Sequence, residues 1–135
     1  MAFRKVKGAT KNIYLPVTPS TVIAEGALVA FSSGQLVPAD ATTAPGDIIG
    51  VCRKEIAATD ADYADERNIP VEIALDAKVL YEFPTTGLVA ADIGNDVDLT
   101  DSVTVNRAAT AVGVVKVLKR ITATKGQGWI ATGNF

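Results

Sequence analysis

The spacing of the hydrophobic positions is the strongest feature of the chain. In residues 69–83 (IPVEIALDAKVLYEF), apolar side chains occupy alternate positions on both sides of Asp76-Ala77. A period of two is typical of strands with one buried face, so this stretch predicts two strands joined by a turn at Asp76-Ala77. Pro84 should end the second strand because it has no N–H for a ladder hydrogen bond.

Shorter apolar runs, separated by turn-forming residues, predict the remaining strands. Two of these runs flank Ser32-Ser33-Gly34, which is the pattern of a hairpin. No window of the chain carries the apolar stripe of an amphipathic helix. The further strands predicted in this way are residues 12–17, 27–31, 35–38, 48–56, 103–105, 110–121 and 128–132.

Local signals refine this assignment. Pro16 favours an edge position for the first predicted strand. Residues 59–68 interrupt the β pattern and predict a single helical turn or a mobile loop, and Lys125–Gly128 predicts a turn. The fold class that follows is all-β: a small, single-domain β-barrel or β-sandwich of short antiparallel strands.

Length and composition agree with one such domain. The chain has 135 residues, of which 48% are hydrophobic and 21% charged, so it can bury one core. No apolar run reaches the ~20 residues of a membrane span, and no apolar stretch follows the basic start to make a signal peptide. The single cysteine, Cys52, lies within IIGVC. We therefore expect a buried, inert thiol in a protein made in a reducing cytoplasm.

Charge is segregated along the chain, although the net charge is only −2. Residues 57–101 carry eleven acids against two cations, whereas residues 102–135 carry five cations and no acid. Residues 1–11 carry four cations, no acid and little apolar content. This predicts a basic, flexible N-terminal arm, 1–11, disordered when free, and a single β domain, 12–135. A pI near 5.0 argues against nucleic acid as a partner.

The available residue types restrict the chemistry. The chain has no histidine, which removes the commonest general base and most zinc sites, so we expect neither catalysis nor a cofactor. Asp60-Ala61-Asp62 begins like a calcium loop. The pattern then fails at Ala64, Asp65 and Val71, where a ligand, a glycine and a glutamate are required.

Two other groups of residues have alternative interpretations. Asp92, Asp96, Asp98 and Asp101 could share a divalent cation, although turn and edge-protecting roles are commoner for such residues. Residues 126–131 (GQGWIA) match the letters of a dinucleotide fingerprint but lack the following helix, which favours a turn. Trp129, within that stretch, is expected in the core or at an interface.

The order of these segments resembles the capsid decoration (cement, head-stabilising) proteins of tailed bacteriophages. The resemblance covers about residues 20–132. It rests on the order of the segments and on the short sequence stretches within them. These are, in order, EGALVAFSSGQLVPAD, PGDIIGVCRKEI, IPVEIALDAKVLYEF, DIGNDVDLTDSVTVN, AVGVVKVL and KGQGWI.

The resemblance implies a compact β-barrel or β-sandwich on the outer capsid surface of a virion. It also implies the major capsid protein as partner, a homotrimer at local three-fold positions, and an N-terminal arm that grips the shell. No membrane and no nucleic acid are expected as partners. The corresponding capsid-binding residues of this chain are Phe3, Arg4, Lys5, Val6, Lys7 and Lys11.

Two other functions remain open at this point. One is another virion component, such as a tail or fibre β module. The other is a ligand- or carbohydrate-binding β module, which should present several exposed aromatic side chains along a groove.

Overall fold

The alternating and Val-rich segments fold as short strands. The computed structural model describes residues 2–76 and 78–131. Two short 3-10 helices, Pro45–Asp47 and Ala90–Asp92, interrupt the loops. The strands are β1 (Arg4–Lys7), β2 (Thr10–Pro16), β3 (Leu28–Ser32), β4 (Gln35–Pro38), β5 (Ile48–Cys52), β6 (Asn68–Ala74), β7 (Leu80–Pro84), β8 (Asp96–Leu99), β9 (Val105–Asn106), β10 (Val115–Thr122) and β11 (Lys125–Ile130).

These strands form two antiparallel sheets. The six-stranded sheet has the order β1-β7-β11-β10-β8-β9, and the five-stranded sheet has the order β2-β6-β5-β3-β4. The predicted all-β fold class is confirmed. Of the two architectures that the sequence allowed, the sheets form a sandwich with open edges and not a closed barrel.

The first core lies between the two sheets, and we call it the inter-sheet core. It joins Leu28 and Val51 of the five-stranded sheet to Tyr81, Phe83 and other side chains of the six-stranded sheet. The chain crosses between the sheets after β6, so β6 and β7 do not pair with each other. Both strands of the strongest alternating pattern therefore exist, but in different sheets. Ala77, of the predicted intervening turn, lies outside the described residues.

A second core covers the opposite face of the five-stranded sheet, and we call it the outer core. Sheet residues such as Val29, Ile49 and Val71 pack there against Ile23 and Ile56 from the connecting segments. Because this sheet is covered on both faces, β5 is buried at every position. A strand covered on both faces needs a continuous apolar run, which is what IIGVC supplies.

The glycines near the C-terminus have a different role from the one predicted. Residues 125–128 lie inside β11, so the predicted turn is wrong, and the chain turns at residues 123–124 instead. A Cβ on Gly126 would approach Leu88 to 2.8 Å, and one on Gly128 would approach the Lys116 carbonyl oxygen to 2.0 Å. Glycine is required here for close packing. Thr132, the last residue of the predicted final strand, lies outside the described residues.

The N-terminal segment also differs from its prediction. Residues 2–11 do not form a separate arm, because β1 pairs with β7 and β2 begins at Thr10 against β6. Phe3 is 1% exposed within the inter-sheet core. The expectation of disorder rested on low apolar content. It neglected how much one aromatic anchor and two backbone ladders contribute to ordering a short segment. Met1 lies outside the described residues.

Candidate interaction surface

The first two strands form one corner of the sandwich, which we call the N-terminal corner (residues 3–16). β1 is the last strand of the six-stranded sheet and β2 the last strand of the five-stranded sheet. The chain passes from one to the other through Gly8, whose φ of 121° disfavours any other residue and whose Cβ would lie 3.0 Å from Val79. The edge position predicted for β2 from Pro16 is confirmed.

Phe3 and Arg4 fix this corner to the body of the fold. The Phe3 ring packs beside Phe83 at a centroid distance of 6.2 Å, and the Phe3 N–H donates to the Gly26 carbonyl at 2.9 Å. Arg4 Nη2 donates to Glu82 Oε2 at 2.8 Å, and this bond holds the pKa of Glu82 below its usual value. Phe3 is therefore a structural anchor and is not available to a partner.

The remaining predicted residues lie on the surface of the corner. Lys5 Nζ donates to Thr10 Oγ1 at 3.0 Å and so links β1 to β2. Val6 is 43% exposed at a break in the β1 register. Lys7 and Lys11 are exposed and form no ion pair within residues 2–76 and 78–131. All six predicted residues thus lie in the N-terminal corner, and five of them are exposed there.

The exposed apolar side chains of the N-terminal corner were not predicted from the sequence. Tyr14 is 68% exposed, Leu75 59% and Ile13 36%. Leu75 lies beside the corner because its N–H donates to the Ala9 carbonyl at 3.0 Å. The signal for Ile13 and Tyr14 was the predicted edge position of their strand, since an edge strand is less covered than a central one.

A buried polar network holds β2 in place. Glu72, on β6, accepts a hydrogen bond from Arg53 Nη2 at 2.9 Å, and Thr10 Oγ1 lies 3.5 Å from its other oxygen. Burial, and then the charge of Glu72, raises the pKa of the neighbouring Tyr81. The carboxylate of Glu72 thus has partners on both oxygens, whereas Arg53 Nε is buried without a hydrogen-bond partner.

An open depression of about 480 Å³ adjoins the corner. Its lining is mainly charged, with Arg4, Arg53 and Lys125 beside Glu25 and Glu82. Small-molecule sites are mostly apolar with few polar groups. The depression does not match that description, and its charges are largely paired within the chain, since Arg4 binds Glu82 and Arg53 binds Glu72.

The four aspartates considered for a cation do not converge. Asp98 accepts two backbone N–H bonds, at 2.9 and 2.8 Å, and Asp101 accepts one at 2.9 Å. Asp96 pairs with a lysine of β10. Asp92 accepts the Val89 N–H at 3.0 Å and Arg107 Nε at 2.9 Å, and these bonds lower its pKa. Among the described residues, no three carboxylate or thiol groups are placed to hold a metal ion.

The calcium-like segment is likewise satisfied internally. Arg67 binds Asp60 at 2.8 Å and also contacts Asp62, and these bonds lower the pKa of both aspartates. Residues 57–65 form successive turns where a helical turn or a mobile loop was predicted. Tyr63 Oη donates to the Ser20 carbonyl at 2.8 Å and ties the segment to the fold.

The remaining reactive or ligand-binding side chains are covered. Cys52 is buried in the outer core as predicted, and burial raises the pKa of its thiol, which disfavours the nucleophilic thiolate. Trp129 lies beneath the Lys78 ammonium group, 5.7 Å from the ring centroid. Tyr81 and Phe83 are in the inter-sheet core. Tyr81 and Phe83 are therefore not available to a ligand, whereas Tyr14 and Phe31 are exposed and Trp129 is half-buried.

Comparison with known proteins does not assign the chain to a family. No protein-family model and no curated protein sequence matches the chain. Within the described residues, no helix has the length and hydropathy of a membrane span.

Proposed function

We propose that this protein is a structural component of a phage virion that binds the outer capsid surface and stabilises the shell. The observation that supports this most is the N-terminal corner, where exposed cations and apolar side chains lie along two edge strands. The order of the sequence segments, which resembles capsid decoration proteins, supports the same function. The proposed partner is the major capsid protein.

Edge strands favour this kind of contact. Within the described residues, no strand pairs with the outer side of β1. The outer side of β2 is bridged only beyond its end, where Val17 pairs with Leu36 of β4 and the Thr18 N–H donates to the Leu36 carbonyl at 3.0 Å. An unpaired edge presents N–H and C=O groups to which an extended segment of another chain can add as a further strand. Lys7 and Lys11 lie on these two strands, so an acidic capsid segment would gain ion pairs together with backbone hydrogen bonds.

Stabilisation of the shell follows from linkage. A protein that binds only the assembled, expanded lattice adds its binding free energy to the assembled state. Many copies on one shell multiply this effect, and association of the copies with one another, as the proposed homotrimer, makes each binding event multivalent. Such a protein needs no catalytic group.

The proposal is tested by decoration of capsids with variants of the corner. Undecorated, expanded heads of the phage that carries this gene are mixed with the purified protein, and occupancy is measured by cosedimentation and electron microscopy. We expect the double variant Lys7→Glu, Lys11→Glu to bind at least about tenfold more weakly, with an unchanged melting temperature. Failure of the wild-type protein to decorate the heads would refute the function.

A control variant tests whether the loss of binding is specific to the N-terminal corner or follows from any change in net charge. Lys54 is exposed and forms no ion pair within the described part of the chain, and Lys54→Glu changes the net charge in the same direction. We expect this variant to decorate heads like the wild type. Equal loss of binding in Lys54→Glu, or full occupancy by the double variant, would show that the corner is not the contact.

A further inference from the structure

The outward face of the six-stranded sheet is rich in cations. Tyr81 and Phe83 of β7 point into the inter-sheet core, so their neighbours Leu80 and Glu82 point to the opposite face. Strand register extends that face across the sheet. One row consists of Lys7, Leu80, Trp129, Lys116 and Asp96. The next row consists of Arg4, Glu82, Gln127 and Lys119.

We call this surface the basic face. Its three carboxylates already have partners. Glu82 binds Arg4 at 2.8 Å and lies 3.9 Å from Lys125 Nζ, and Asp96 binds Lys116 at 3.3 Å. Asp98, on the same side of β8 as Asp96, accepts two backbone N–H bonds. Cations therefore remain in excess. The cations of the basic face are Arg4, Lys7, Lys78, Lys116, Lys119 and Lys125.

The opposite side of the molecule carries acids, on residues 55–66, which we call the acidic segment. It covers the outer core through the partly buried Tyr63. Asp60 and Asp62 share Arg67, and Glu66 is bonded by Gln35, so these acids are held in fixed positions. Glu55 and Asp65 are exposed and form no ion pair within the described residues.

The fold keeps these two surfaces apart. Both sheets and both cores lie between the basic face and the acidic segment, so the charges cannot neutralise each other within one molecule. At 0.1 M salt, screening limits charge interactions to about 10 Å. Neutralisation by a second copy is then the arrangement that the charge distribution favours.

We propose that copies of this protein associate head to tail, with the basic face of one copy against the acidic segment of the next. The inference deepens the self-association above and rests on that part of the proposed function. Contact between two basic faces would be repulsive, whereas the head-to-tail contact is attractive. A contact between two different surfaces leads to a closed ring or an open array and not to a two-fold dimer.

A second copy fits the basic face better than a polyanion does. The protein has a net charge of −2, so a nucleic acid approaching from a distance meets a weakly repulsive field. A second copy brings its own acids without adding appreciable net charge to the complex. Charge complementarity of this type mainly increases the association rate and fixes the relative orientation of the partners.

The test measures self-association at low salt by sedimentation velocity. We expect the wild-type weight-average mass to rise with concentration at 50 mM salt and to fall towards the monomer at 500 mM. The variants Lys119→Gln, Lys125→Gln (basic face) and Glu55→Gln, Asp65→Asn (acidic segment) should each raise the dissociation constant about 2- to 30-fold. A wild-type protein that stays monomeric at millimolar concentration and 50 mM salt overturns the proposal.

Mixing the two double variants tests the direction of the contact. The basic-face variant keeps its acidic segment and the acidic-segment variant keeps its basic face, so an equimolar mixture should form one-to-one dimers more readily than either variant alone. No gain on mixing overturns the head-to-tail arrangement. Binding of a single-stranded oligonucleotide to the basic face without self-association overturns it as well.

Controls distinguish this inference from the capsid function. Lys11→Gln alters the N-terminal corner outside both surfaces and should leave self-association unchanged. Salt-sensitive self-association by a protein that does not decorate heads would remove the capsid function and keep the head-to-tail contact. Normal decoration of heads by a protein that stays monomeric in solution at low salt would remove the head-to-tail contact and keep the capsid function.

Discussion

Replacement of Phe3 by alanine tests whether the N-terminus is part of the folded domain. Phe3 is 1% exposed in the inter-sheet core, its ring lies 6.2 Å from that of Phe83, and its N–H is bonded to Gly26. A flexible arm would tolerate the substitution, because its side chain would have no packing partner to lose. The structure predicts instead a large loss of stability.

The magnitude follows from burial. Phe→Ala at a fully buried position costs about 3–5 kcal/mol, through lost transfer free energy and the cavity that remains. For a chain of this length, each kcal/mol lowers the melting temperature by roughly 3–5 °C. The Phe3→Ala variant should therefore melt about 10–25 °C below the wild type.

Thermal and urea denaturation followed by circular dichroism measure this change. Val6→Ala is the matched control, since Val6 lies three residues away and is 43% exposed. It should cost less than about 0.5 kcal/mol, as is usual for surface substitutions. A Phe3→Ala variant that melts within 2 °C of the wild type would show that residues 2–7 do not pack on the domain.

Three further substitutions or measurements test other parts of the structure. Gly128→Ala would place a Cβ 2.0 Å from a backbone oxygen and should cost about 1–3 kcal/mol, whereas Gly46→Ala, with nothing within 4 Å, should be nearly neutral; equal effects would contradict the packing argument. Cys52 should react slowly with a thiol reagent in the native protein and rapidly in denaturant, and fast native reaction would disprove its burial. Asp92 has a lowered pKa, so its contribution is present above its unfolded pKa and lost as pH falls through the folded value. The destabilisation by Asp92→Asn should therefore be full at pH 7 and shrink below about pH 4. A deficit that is independent of pH would rule out the bonds of the ionised carboxylate, to the Val89 N–H and to Arg107, as its cause.

The periodic parts of the fold were predictable from the sequence. β6 and β7 follow a period of two because each directs alternate apolar side chains into one core, Ile69 and Val71 into the outer core and Tyr81 and Phe83 into the inter-sheet core. Pro84 ends β7 where expected. The predicted hairpin of β3 and β4 is confirmed by their pairing around Ser33-Gly34. In each of these cases the determining interactions are local, so the sequence alone carries the signal.

The pairing of distant strands was not predictable in the same way. The alternation that defines β6 and β7 is the same whether the two strands pair or lie in different sheets. Gly126 and Gly128 have the composition of a turn, and only the positions of Leu88 and the Lys116 carbonyl show that they are required inside a strand. Such requirements arise from tertiary contacts, which a single sequence does not display.

The residues of the N-terminal corner were predicted only in part, because charge is visible in the sequence whereas exposure depends on the tertiary structure. The cationic residues were recognised from charge alone, but Phe3 was assigned to binding although it belongs to the core. Tyr14 was not selected at all, because an aromatic residue in a strand is usually buried. Its 68% exposure results from the edge position of β2, which depends on the arrangement of the whole sheet.

The proposed binding residues and the residues that anchor the N-terminus lie in the same corner of the fold, and this affects how the proposed function must be tested. β1 and β2 present Lys7 and Lys11 to solvent while Phe3 and Thr10 hold the strands to the domain. Deletion of the first ten residues would remove the anchor together with the surface, so a loss of capsid binding could arise from unfolding alone. Point substitutions of exposed residues avoid this ambiguity, because surface changes seldom alter stability by more than about 0.5 kcal/mol. A difference in decoration between Lys7→Glu, Lys11→Glu and Lys54→Glu, at equal melting temperature, can therefore be attributed to the surface itself.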